Sequence, residues 1–156
     1  MAGNLNNVFG NFNGVMGNNN FAIGSGNGVV GDRNAVAGDR NFLQGNQNLM
    51  FGSFNNLGGN WNGVQGNSNG LWGNANGISG NANVVVGNSN RVLGNGNGIL
   101  GNGNGLSGSN NLFMGHTNNV VGNTNTIRGN DNLVLGHGNF VHSDSTQTVG
   151  SNLRRT

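Results

Sequence analysis

Residues 73–93 read GNANGIS GNANVVV GNSNRVL, three heptads in one frame. Each opens on Gly (Gly73, Gly80, Gly87), carries Asn at its second and fourth places, and has an aliphatic residue at its sixth (Ile78, Val85, Val92). Extended in both directions, this frame divides residues 3–142 into twenty heptads without a gap, GNLNNVF at 3–9 to GHGNFVH at 136–142. The consensus is G-N-x-N-x-φ-x: the first place is Gly, the fourth Asn and the sixth apolar in all twenty, and the second is Asn thirteen times, otherwise Ser, Asp or His.

A seven-residue period also marks coiled coils. Here a Gly and about two Asn per heptad would cost a helix upward of ~1 kcal/mol per turn. Disorder, common in Gly/Asn-rich tracts, does not account for an apolar sixth place that never lapses. The remaining reading is all-β. Places four and six lie on one side of a strand and places three, five and seven on the other. The Gly-Asn pair at places one and two supplies a turn, Gly taking positive φ freely and Asn tolerating it. Coils stacked at about 4.8 Å set like on like. The sixth places form a thin core. The fourth places form an amide ladder of the cross-β kind: Asn6, Asn13, Asn20, Asn27, Asn34, Asn41, Asn48, Asn55, Asn62, Asn69, Asn76, Asn83, Asn90, Asn97, Asn104, Asn111, Asn118, Asn125, Asn132 and Asn139. The expectation is a parallel β-solenoid over 3–142, a lead-in at 1–2, and a degenerate repeat (SDSTQTV, 143–149) with a tail through 156. No single coil buries its own face, so stability grows with coil number.

The pattern x-x-N-x-V-x-G resembles the repeat of the grass ice-recrystallisation-inhibition (antifreeze) proteins. More loosely, it is similar to the G-x-x-S-x-A-x head repeats of trimeric autotransporter adhesins. The resemblance covers residues 3–142. It implies a left-handed parallel β-roll with two heptads per coil. One feature of the sequence hints at three instead. Every third seventh place, Phe9, Val30, Phe51, Trp72, Leu93, Met114 and Leu135, is large and apolar. A triangular coil would stack these seven into one stripe, and would also align His116 with His137.

The outward places carry nine of the ten aromatics, Phe113 alone taking a core place. Contiguous apolar patches on a soluble protein mark contact surfaces. The residues therefore lead to a self-associating, non-enzymatic structural protein, an oligomer or filament joined through the seven seventh-place residues above. Ice binding, as the grass resemblance implies, is the alternative, and an adhesin-like surface module comes after it. Where the grass repeat has Thr or Ser at many outward places, this chain has Thr only at Thr117, Thr124 and Thr126, while the small-residue stretch 75–107 offers a surface that could order water.

Composition closes off most other chemistry. Gly (33) and Asn (39) make up nearly half of the 156 residues, and Cys, Lys, Glu, Tyr and Pro are absent. There is thus no thiolate or amine nucleophile, and no disulfide. No catalytic, cofactor-binding or metal-ligating set is expected. The four Asp (32, 39, 131, 144) are too few for a calcium solenoid, and the GDR pairs at 31–33 and 38–40 read as local ion pairs. The six Arg are scattered and net charge is +2, which gives no stripe for nucleic acid. No signal peptide and no spanning run of about 18 apolar residues is evident, so a cytoplasmic location is expected unless another export route exists. The repeat begins right after Met1-Ala2, so an uncapped first coil is expected, and the tail is expected to cover the last coil or to dock on another copy.

Overall fold

The computed structural model describes all residues, 1–156. Twenty-two short strands, β1 to β22, follow one another every seventh residue, from β1 (Asn7–Phe9) and β2 (Gly14–Met16) to β21 (Gln147–Val149) and β22 (Arg154–Arg155). There is no helix. The odd-numbered strands form one eleven-stranded parallel sheet and the even-numbered strands a second. Every pairing advances the register by fourteen residues: Leu71 lies beside Leu57 and Val85, and Ile78 beside Val64 and Val92. Two heptads therefore make one coil. The stack runs about 48 Å, ten intervals of ~4.8 Å.

The triangular coil is not formed, and the reason is local. Each strand holds only places five to seven, and places one to three are all spent on the corner. The corner takes positive φ at place one, Gly in all twenty heptads of 3–142, and again at place three, where Phe12, Phe54 and Trp61 sit at φ 58, 60 and 60. Two left-handed residues flanking one turn reverse the chain fully, so two heptads close a coil. Third-place residues consequently stand on the two edges of the roll, not on a sheet face where strand alternation would put them. Corners are stitched coil to coil as strands are: Gly73 N–H donates to Gly58 O at 2.9 Å and Ala75 N–H to Asn60 O at 3.0 Å. That stitching holds non-Gly residues in a conformation that costs about 1 kcal/mol or more each.

First-place Gly is required twice over. A Cβ on Gly73, at φ +137, would stand 1.8 Å from the carbonyl oxygen of Gly87 in the next coil. Between the sheets lies a core one side chain thick. Nineteen sixth-place residues from Val15 to Val141 are buried in one cluster, with Val8 partly buried at its end.

The roll does not stop at residue 142. Thr146 stands in the Asn place and gives its N–H to Asn132 Oδ1 at 3.0 Å. Thr148 takes the core place with no exposure, and Leu153 N–H reaches Asn139 Oδ1 at 2.9 Å. A hydroxyl or a bare backbone N–H continues the bonding that Asn makes elsewhere, so the degenerate unit still forms β21 and β22.

Candidate functional site: ladders, edges and faces

Two side-chain ladders run along each edge, in opposite directions. In the inner one, Asn76 donates from its backbone N–H (2.9 Å) and its Nδ2 (3.1 Å) to Asn62 Oδ1 in the preceding coil. Its Nδ2 also reaches Gly87 O at 2.8 Å. This arrangement recurs along the fourth places, and all of them from Asn20 to Asn139 are buried. Burying an amide is tolerable only when its hydrogen bonds are made, and here they are made at every level.

The outer ladder goes beyond what the repeat predicts. It uses the second places and points the other way: Asn74 N–H and Nδ2 donate to Asn88 Oδ1 in the following coil, at 2.9 and 3.1 Å. Its signal is present in the sequence, since Asn, Asp, Ser and His all carry an acceptor close to Cβ. His116 Nδ1 accepts from Asn102 N–H at 3.1 Å and His137 Nδ1 from Asn123 N–H at 3.0 Å, on opposite edges. Both are thus corner residues, as their second places imply, but they do not align with each other. The expected GDR ion pairs give way to the same ladder. Asp32 Oδ1 accepts from Asn18 N–H and Asp39 Oδ1 from Ser25 N–H, both at 2.7 Å, while the Arg40 guanidinium lies 5.4 Å over the Phe54 ring. No three of His, Asp, Glu or Cys come together as a metal cluster. Asp144 Oδ1 likewise accepts from Asn130 N–H, at 2.6 Å.

The seven large seventh-place residues are divided between the sheets. Phe9, Phe51, Leu93 and Leu135 lie on the odd sheet, and Val30, Trp72 and Met114 on the even one, so no single stripe exists. All seven are exposed. On the odd sheet, Leu49, Phe51, Arg91 and Leu93 frame a shallow trough of about 550 Å³ floored by Gly63 and Gly77. On the even sheet, Trp72 lies down. A Cβ on Gly58 would meet its Cδ1 at 3.1 Å, and one on Gly70 its Cζ3 at 3.1 Å.

The sheet faces are therefore uneven, Gly alternating with Phe, Leu or Trp. The edges of the roll's middle are not. Leading into the odd strands stand Asn74-Ala75, Asn88-Ser89 and Asn102-Gly103; leading into the even strands stand Asn67-Ser68, Asn81-Ala82 and Asn95-Gly96. All twelve residues are exposed. Each pair repeats at the strand spacing in small residues only.

Compared with known proteins, residues 1–80 match the family model described as the grass antifreeze beta roll. Among curated proteins none matches. Among solved structures, the crystal structure of the polySia-specific acetyltransferase NeuO is 12% identical with a TM-score of 0.21, over 96% of this chain and 77% of that one, a likeness too weak to carry argument. The family match spans just over half of the chain, and its description as a beta roll agrees with the two stacked parallel sheets: the chain belongs to the grass antifreeze β-roll family.

Proposed function

We propose that this protein adsorbs to ice and restrains its recrystallisation, without catalysis, and that the two small-residue edges over residues 67–103 make the contact. The observation that carries the assignment is periodicity. Only on these edges do outward groups of similar size and chemistry recur in every coil at about the 4.8 Å strand spacing. An ordered water layer needs such a repeat, and the sheet faces, broken by Phe42, Phe51, Trp72 and Leu112, lack it. The ladders support the reading by fixing the second-place amides in the stack, so the array is rigid before ice arrives and little ordering entropy is lost on contact. Membership of the grass antifreeze family supports the same function. A direct test is partition into slowly grown ice. The protein is expected to enter the frozen fraction above a serum-albumin control, and equal exclusion of both would defeat the proposal.

Self-association is the second reading, favoured by the trough between Leu49, Phe51, Arg91 and Leu93, whose apolar members Leu49, Phe51 and Leu93 are exposed. Sedimentation at micromolar concentration decides it: a concentration-dependent rise in mass supports the reading, and a monomer throughout removes it.

A further inference from the structure

We infer that the even sheet between residues 42 and 86 is a binding platform for a neutral glycan chain, with Trp72 and Phe42 as stacking surfaces. The inference goes beyond the ice reading and does not depend on it.

The platform is built from three neighbouring strands, β6 (Phe42–Gln44), β8 (Asn56–Gly58) and β10 (Gly70–Trp72). Phe42 lies beside Asn56 and Gln44 beside Gly58; Asn56 then lies beside Gly70 and Gly58 beside Trp72. A large residue at these places ordinarily stands up from a sheet. Trp72 does not, because glycine is beneath it on two sides. One end of the indole rests over Gly58, and the other over Gly70. Phe42 leans in the same direction: a Cβ on Gly28 would be 3.2 Å from its Cδ2. Both rings thus lie low against the sheet, each with roughly half its surface open, 45% for Trp72 and 47% for Phe42.

Low-lying aromatic rings on a flat sheet present a broad apolar plane with little rotamer freedom to lose. The apolar face of a pyranose ring is the complementary shape. The two rings are two strand steps apart, about 10 Å along the stack, room for about two sugar units. Asn56 stands between them and Gln44 beside them; both are exposed, and neither belongs to a ladder, so their amides are free to meet hydroxyl groups.

Charge selects the class of polymer. From residue 41 to residue 90 no side chain is ionisable; the nearest charges, Asp39 and Arg40, stand on the edge leading into β6, with the Arg40 guanidinium held over the Phe54 ring, not on the sheet face. Nucleic acids, whose bases also stack on aromatics, depend on Lys or Arg for backbone affinity, and this face has none. Acidic polysaccharides are disfavoured for the same reason. A neutral polymer is the match.

The experiment uses full-length Trp61→Phe protein, in which Trp72 is the sole indole, with hydroxyethylcellulose and a mixed-linkage β-glucan as neutral probes and polygalacturonate as the acidic one, at about 25 °C. A saturable change in Trp72 emission and retardation in gels containing either neutral glucan are expected. In the wild-type background Trp72→Ala should weaken retardation at least about tenfold. Gly58→Val, which lifts the indole while keeping it, should also weaken it several-fold. Edge variants Ala82→Arg and Ser89→Arg should bind glucan normally, so loss of ice binding and loss of glycan binding are told apart. The inference is overturned if neither neutral glucan retards the protein, if Trp72→Ala of unchanged circular dichroism binds as wild type, if polygalacturonate binds better, or if Trp72 proves to be buried between two copies that glucan does not separate.

Discussion

Asn62 Oδ1 receives two hydrogen bonds from Asn76, 2.9 Å from its backbone N–H and 3.1 Å from its amide. Asn76 Oδ1 in turn receives the same pair from Asn90, at 2.9 and 3.0 Å. One buried side chain thus serves three coils. Truncating it, as Asn76→Ala, leaves Asn90 N–H and the Gly87 carbonyl short of partners, at about 1–3 kcal/mol each. A total loss of ~3 kcal/mol or more is expected. Asn74→Ala, on the exposed outer ladder, should cost less than about 1 kcal/mol, since water replaces the lost bonds. Urea midpoints of the two variants, measured side by side, check the contrast.

Two glycines of a single heptad should respond oppositely to alanine. Gly73→Ala drives a methyl to 1.8 Å from Gly87 O at a φ of +137, and should unfold the roll locally or cost upward of ~3 kcal/mol. Gly77 is on an outward place where a methyl would meet nothing within 4 Å, and should accept alanine with a gain of a few tenths to ~1 kcal/mol. Thermal melting of both proteins tests this.

Thr148 is fully buried and its Oγ1 has no hydrogen-bond partner. Thr148→Val keeps the shape, removes the unpaired hydroxyl, and should stabilise the protein by about 1 kcal/mol or more. A lower melting temperature in the variant would mean that the hydroxyl has a partner in solution.

The inward half of this molecule is legible in the sequence because it is repetitive. An apolar residue at place six and Asn at place four, twenty times over, leave one side of a strand with one chemistry. The corner is less legible. Strand alternation puts place three on a face, but the φ of 58 at Phe12 and 60 at Trp61 turns both onto an edge, and no side-chain pattern encodes that backbone reversal. The recurrence of Phe51, Trp72 and Met114 at every third heptad suggests a triangle. In the two-heptad coil that period places Trp72 on one sheet and its counterparts Phe51 and Leu93 on the other. Large outward residues look like erect contact groups, yet the glycines beside Trp72, unremarkable in the sequence, are what lay it flat. The outer ladder is hard to see in the sequence because its members differ in name while sharing an acceptor at one position.

Recrystallisation of ice in a frozen sucrose solution tests the central claim most directly. The wild-type protein and an Ala82→Arg/Ser89→Arg double variant, one change per edge, are annealed side by side and mean crystal size is followed. Arg is compatible with the third-place backbone, since Arg33 and Arg40 occupy it at φ 58 and 54. The wild type is expected to hold crystals small at micromolar concentration. The variant, with the same urea midpoint, should need at least about tenfold more protein for the same effect. Crystal growth in the presence of the wild type equal to that with serum albumin, or full activity in the folded double variant, would contradict the account.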